Sequence, residues 1–559
     1  MAYTQLTKGI LALLLLPVLL HAQEPVEGEE TEPSGQGMPT LEVPEEIVVY
    51  GKRGIVLPPA RKGEVFDTAL YVLPPGDTLI FGDRITNLEG DGGILPVYGE
   101  FNDPMVLNAE VSIGTYVSPR GRFGLEYAVD RWNVRGLLDV GSTAGHVDGA
   151  EASSLLLDAG IEYQIPGQLP SPGKARVHGG VTYLADSWTL YGNQIGQFDR
   201  SRSIFDLDLG ISSETDASFD YALGLSIESV ALEDDTLGFT GNTSALTPAF
   251  DAQFRLGDDA LNLGAELRYQ STSLDYDTAT DNPDFVEVSG QVEWSPSPGL
   301  FVTAGGVFAH GGYSDSGSTT LIMPRGAVRY DMNETFALFA RFAPELRAPS
   351  VRSRIMSAPY VDREIQLRPE KVNVHAAAGT RINLGSLSVE GELFVETAKN
   401  TPVVTLDSVP GALRYAHLDS RTFGVRGNAK AQITTDIALT GELTVMNAVD
   451  DATDEQLPMR PNLELRGRAD VVLTEKIGLY GTLLFQNEQN VTSDFSVLPT
   501  GVDRTLETRL LFGAGATYDV LDNVQVFADV TNLLAQGYDW WQNYEAPGLE
   551  LRLGARARF

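Results

Sequence analysis

Cysteine is absent from all 559 residues, which excludes a disulfide framework, a thiolate metal site and a lipid-modified N-terminal cysteine together. Beyond residue 22 there is no run of 18 or more apolar residues, although 43% of the chain is of hydrophobic type, so no membrane-spanning helix is expected. Cations are scarce, with 40 Lys and Arg against 76 Asp and Glu. Such a balance repels phosphates and argues against a nucleic-acid partner. The six histidines, His21, His146, His178, His310, His375 and His417, are scattered with no pair at ligand spacing, so no metal site is inferred. No nucleophile motif, glycine-rich phosphate loop or separable carboxylate pair is found. Neither an enzyme activity nor a cofactor is expected.

What is present begins with an export address: Lys8, an apolar stretch from Ile10 to Leu20, and Ala22 as the last residue before cleavage, giving a signal peptide over 1–22. Residues 23–46 are acidic and rich in Pro and Gly, too poor in apolar side chains to offset ordering entropy, and read as a disordered tether. From Met105 to Phe559 the texture is different. Segments of about ten residues alternate apolar and polar side chains, as a strand with lipid outside and water inside requires. Phe205, Leu207, Leu209 and Ile211 alternate with Asp206, Asp208, Gly210 and Ser212; Leu157, Ala159, Ile161 and Tyr163 with Asp158, Gly160, Glu162 and Gln164. In the last segment Leu549, Leu551, Leu553, Ala555, Ala557 and Phe559 share one face, with Glu550, Arg552, Arg556 and Arg558 on the other. A charge on the lipid face at the midplane costs roughly 2–4 kcal/mol, so these charges point into an interior.

Polar turns are expected near Asp130, Ser171, Thr215, Asp258, Pro298, Asn333, Ser386, Thr435, Glu475 and Asp522. Ten hairpins and one strand at each free end give about 22 strands. The fold class is therefore all-β, a transmembrane antiparallel β-barrel over 105–559 with a short N-terminal periplasmic or lumenal segment. Longer, more polar connections are expected at Ser142–Ser153, Ala231–Ser244, Arg347–Gln366 and Asn487–Arg504. Bacterial barrels keep short turns in the periplasm, which places both barrel ends there and the chain in the outer membrane of a Gram-negative bacterium.

Five segments resemble, in chain order, the barrel of TonB-dependent receptors. Met323–Ser353 looks like the family's strand, turn, strand and F-R-A-P corner, with Leu346 at the Phe position; Gln366–Ile382 is similar to its L-x-P-E strand opening. Gly391–Thr405 and Arg414–Thr453 resemble the stretch written N-x-x-x-x-x-G-x-E, and Val524–Phe559 the closing N-L-x-x-x-x-Y and terminal strand. The likeness is good from Met323 to Phe559 and looser from Met105. At the other end EEIVVYGKR (Glu45–Arg53) resembles the TonB box, a segment that adds a strand to the inner-membrane transducer; Ile47, Val48, Val49, Tyr50 and Gly51 would carry it. The competing reading is an ordinary first strand of a small periplasmic element. The family's plug needs well over a hundred residues, whereas residues 54–104 number some fifty, so 47–104 reads as the box-like segment and a reduced plug remnant.

The resemblance implies a receptor or transporter that takes up a ligand from outside with energy coupling through that segment. Its implied partners are outer-membrane lipid and lipopolysaccharide, the TonB transducer, and a small-molecule ligand or a lumen-filling protein. The alternatives are a plugless barrel acting as a scaffold or partner-filled component, or a passive diffusion pore. Arg347, Arg352, Arg354, Arg363 and Arg368 gather in an otherwise acidic chain and are candidates for an anionic ligand, against the alternative that they pair with Glu345, Asp362, Glu364 and Glu370. Trp540 and Trp541, with Tyr538 and Tyr544, are either a ligand-stacking site or part of an interfacial aromatic belt.

Overall fold

A computed structural model describes residues 105–165, 175–192, 198–213, 219–236, 239–257, 260–277, 280–314, 317–406, 413–492 and 505–559. The first half of the barrel comprises β1 (Met105–Gly114), β2 (Ser118–Val129), β3 (Trp132–Thr143), β4 (Ala152–Ile165), β5 (Ala175–Thr189), β6 (Asp199–Ser213), β7 (Phe219–Thr236), β8 (Phe239–Gly257), β9 (Leu261–Ser271), β10 (Asp284–Ser297) and β11 (Leu300–Gly312). The second comprises β12 (Ser318–Asp331), β13 (Phe336–Phe342, resumed at Glu345–Arg347), β14 (Glu370–Asn383), β15 (Leu387–Leu406), β16 (Leu413–Thr434), β17 (Ile437–Asp450), β18 (Leu463–Thr474), β19 (Ile477–Gln486), β20 (Arg509–Leu521), β21 (Val524–Thr531) and β22 (Glu550–Arg558).

Each strand pairs antiparallel with its sequence neighbours, and β1 pairs with β22 from Asn108 opposite Arg558 to Gly114 opposite Arg552, so the 22 strands close. The amides of Leu107 and Phe559 each donate to the other's carbonyl at 2.8 Å, extending that seam to the final residue. Closure removes every sheet edge, the condition for a sheet to span a bilayer.

Seven of the ten expected turns fall in described connections at one end, at Asp130, Pro298, Asn333, Ser386, Thr435, Glu475 and Asp522. Those at Ser171, Thr215 and Asp258 lie outside the described residues. Gly299 shows why such turns need their composition. Its φ is +82°, and a Cβ there would stand 2.5 Å from the Asp331 carbonyl.

The alternation is borne out. Phe205, Leu209, Ile161, Leu551 and Leu553 are exposed on the outer surface, whereas Asp206 meets Arg352, and Arg556 meets Glu110, across the interior. Tyr127, Trp132, Phe254, Trp294, Tyr330 and Tyr518 face outward close to the short turns. This is a girdle where bilayer meets water.

One expected loop is not a loop. β7 and β8 remain paired through most of 231–244, from Ala231 opposite Ser244 to Asp235 opposite Thr240. The pattern persists with its polarity inverted: Val230, Leu232 and Ala245 are buried inside, while Glu233 and Asp235 face outward. Beyond the hydrocarbon the outer face is wet, and the inner face here meets packed protein. A polar segment was therefore a strand extension.

Candidate functional site

The interior at the long-loop end is filled by the connection between β13 and β14, residues 348–369. Sequence reading treats it as a polar loop, yet Val351, Ile355, Met356, Ala358, Tyr360, Val361, Ile365 and Leu367 are all buried in one cluster. That cluster also takes in Leu184 and Trp188 of β5, Ile204 of β6, Val230 and Leu232 of β7, Ala245 of β8, Val404 and Leu406 of β15, and Leu413 of β16. Burying a large aliphatic or aromatic side chain contributes about 1.5–3 kcal/mol. The segment is thus a folded part of the core.

Its local order starts with α1 (Val351–Ser357), capped by Ser350, whose hydroxyl accepts from the Ser353 amide at 3.1 Å. A Ser cap satisfies one of the amides that a helix start leaves orphaned. Val351 and Ile355, four apart, share the face turned to the core. The other side of the segment carries charge.

Two arginines of β6 hold this segment by its carbonyls. Arg200 donates to the Pro359 and Val361 carbonyls at 2.8 and 2.6 Å while its Nε meets Asp234 at 2.5 Å. Arg202 donates to the Ile355 carbonyl at 3.0 Å and is paired with Asp186. On the facing wall the Tyr415 hydroxyl donates to the Arg354 carbonyl at 2.7 Å, and the Asp362 amide to the Leu413 carbonyl, also at 2.7 Å. Gln270 donates to the Pro349 carbonyl at 2.9 Å. The segment is therefore bonded to walls ten strands apart.

The arginines singled out from the sequence are brought to this region but do not form one patch. Arg347 contacts Glu345, Glu370 and Glu396 at 2.6, 3.0 and 3.0 Å. Arg352 meets Asp206, with Glu228 at 3.7 Å. Arg363 meets Asp277 at 2.7 Å and donates to the Asn242 carbonyl at 3.1 Å. Arg354 lies over the Tyr415 ring at 5.1 Å, and its burial pushes the guanidinium pKa down. Arg368 lies 5.8 Å from the Tyr313 ring. Of the four anticipated carboxylates, Glu345 and Glu370 pair with Arg347, while Asp362 accepts the Glu364 amide.

The last connection, 532–549, also turns inward. Tyr538 and Tyr544 are buried, at 5% and 1% exposure, so these two form no lipid-facing belt. Trp540 packs on Leu484, Leu511 and Tyr538, with the Arg509 guanidinium 4.8 Å from its ring, and Trp541 packs against the main cluster. Tyr544 stacks on Tyr360 at 3.9 Å, and Tyr191 meets both edge-on. Such ring pairs add about 0.5–1.5 kcal/mol beyond area burial. Nearer the short turns, a recess of about 480 Å³ is lined by Ser212, Asp220, Gln253, Glu266, Gln291 and Glu293; the polar interior continues there.

Sequence reading missed Arg200 and Arg202. Their signal was available: extending the Phe205 alternation back places both on the interior face with Asp206 and Asp208. The box-like residues Ile47, Val48, Val49, Tyr50 and Gly51 lie outside the described residues, as do the signal, the acidic tether and the plug-remnant segment through 104.

The family described as TonB dependent receptor-like, beta-barrel, matches residues 91–533. Among solved structures of similar fold, the FrpB iron transporter from Neisseria meningitidis (F3-3 variant) is 10% identical, with a TM-score of 0.66 covering 87% of this chain and 83% of that one. The copper transporter OprC is 13% identical, with a TM-score of 0.62 over 82% and 84%. A mutant of the ferric enterobactin receptor PfeA from Pseudomonas aeruginosa, in complex with enterobactin, is 15% identical, with a TM-score of 0.62 over 82% of each chain. No curated protein matches. At these identities the structures establish likeness of fold, and the family rests on the match over most of the chain: this protein belongs to the TonB-dependent receptor β-barrel family.

Proposed function

We propose that the protein is a non-enzymatic receptor and transporter of the Gram-negative outer membrane, with its long loops outside, taking up a small ligand by coupling to the TonB transducer. The observation that carries this reading is the joint presence in one chain of the family's barrel and, N-terminal to it, the Glu45–Arg53 segment. The iron, copper and enterobactin proteins of similar fold make a metal or metal chelate the first ligand class to try. Arg347, Arg352, Arg354, Arg363, Arg368 and the Trp540–Trp541 pair are the candidate contacts. The packing of residues 348–369 across the interior at the long-loop end favours a closed receptor over a passive pore. Residues 47–104 serve as the coupling segment and plug remnant, behind the tether 23–46 and the signal 1–22.

Strand addition to a transducer relies on backbone hydrogen bonds, so proline, which removes a donor and fixes φ, acts differently from alanine. Co-purification of the full chain with the TonB periplasmic domain is expected to fall strongly for Val48→Pro and mildly for Val48→Ala, with barrel insertion unchanged. Retention of parental capture by Val48→Pro would make this segment a linker. The scaffold or passive-pore readings would then lead.

A further inference from the structure

We infer that residues 348–369 are an outer gate built into the barrel, closing the lumen at the long-loop end and opening by release from the β6 wall. This holds whether or not Glu45–Arg53 engages a transducer. The segment crosses from the end of β13 to β6–β8 on one side and to β16 on the other. Its apolar side chains interlock with both walls, together with Val491, Leu506 and Tyr544 from the neighbouring connections.

The two attachments differ in kind. On β16 the Asp362 amide bonds the Leu413 carbonyl and Val361 bridges Leu413 as a short parallel contact, an attachment in the sheet's own hydrogen-bonding mode. On β6 and β7 nearly every polar contact is charged: Arg200 with Asp234 and two carbonyls, Arg202 with Asp186 and one carbonyl, Arg352 with Asp206 and Glu228. Charged hydrogen bonds are strong only while dry. Water or a charged ligand reaching them weakens the β6 side as a group and leaves the β16 side in place. The segment would then swing on β16.

Ser226 lies on β7, opposite Asp208 and one inward-facing step below Glu228, hence directly beneath the Arg352 contact. Because the chain holds no cysteine, Ser226→Cys is a unique thiol whose labelling by a bulky, membrane-impermeant maleimide on whole cells reports passage past the segment. Rates are referred to Glu455→Cys, an exposed position on the connection after β17.

Labelling at Ser226→Cys is expected to be slow in the otherwise parental chain. It should rise on the order of ten-fold or more when Arg200→Ala removes its charged hydrogen bonds. The pair Ile355→Ser with Tyr360→Ser, which leaves β6 intact and no unpaired charge, should raise it similarly. Fast labelling in the parental background would overturn the gate, because the segment would not seal. Labelling that stays slow in both variants would overturn it equally, since closure would then come from elsewhere.

Discussion

Replacing Arg202 by alanine is expected to destabilise the folded barrel by about 3–5 kcal/mol, the cost of leaving a buried carboxylate without its partner. The side chains of Arg202 and Asp186 are both at 0% exposure. The guanidinium also donates to the Ile355 carbonyl at 3.0 Å and lies 5.2 Å from the Trp188 ring. Alanine therefore strips a carboxylate, a carbonyl and an aromatic face at once, in a place water does not reach. The paired substitution Asp186→Leu with Arg202→Met removes both charges and keeps the volume. It should recover most of the loss, because a buried pair is often no more stabilising than an apolar replacement of its size. Urea unfolding of the detergent-solubilised protein measures both. A loss below about 1 kcal/mol for Arg202→Ala, or a paired variant weaker than the single one, would show that the pair is wetter than its geometry implies.

The contrast between what the sequence discloses here and what it hides has a physical basis. Within the bilayer each strand has one lipid face and one polar face, so Phe205 to Ile211 can be oriented by inspection, and turns such as Asp130 and Asp522 mark where each hairpin reverses. Those cues sufficed for the strand number and closure. Above the bilayer the rule changes sign: Glu233 and Asp235 face out, Val230 and Leu232 face in. A reading that equates polar with loop then loses the strand.

The site was harder still. Val351, Ile355, Tyr360, Ile365 and Leu367 are interspersed with Arg352, Arg354, Arg363, Asp362 and Glu364 over 351–367, so the segment's mean polarity conceals its apolar spacing. Arg200 and Arg202 lie some 150 residues away from the carbonyls they hold. No local pattern encodes a partnership at that separation.

The charge pairs answer a question that alternation alone leaves open: how one strand carries several ions across a membrane. Arg120 and Arg122 share Asp139, Arg341 and Arg426 share Glu392, and Arg347 contacts three glutamates, all on inward-facing positions of the wall. Ion pairs across neighbouring strands let the interior stay polar without a net field at each step. They also pin register, because a slip by one residue would send every ion of a strand to lipid.

That dependence on face gives the second large effect, at two adjacent residues of β7. Leu225 is 59% exposed on the outer surface, whereas Ser226 faces the interior opposite Asp208. Leu225 is the seventh residue of β7. At about 3.3 Å per residue and a tilt near 45°, this puts it roughly midway through an apolar band about 25 Å tall. Leu225→Arg is therefore expected to cost about 2–4 kcal/mol in the folding equilibrium into lipid vesicles, the penalty for a cation at the midplane. Ser226→Arg gains a carboxylate neighbour across the strand and should stay within about 1 kcal/mol of the parent. The two substitutions install the same arginine one step apart along the chain, so their difference reports chiefly the face, with the loss of the Leu225 side chain adding to the outward cost. Equal costs, or a larger loss at Ser226, would mean that β7 does not present Leu225 to lipid, and the register from β6 through β8 would have to be redrawn.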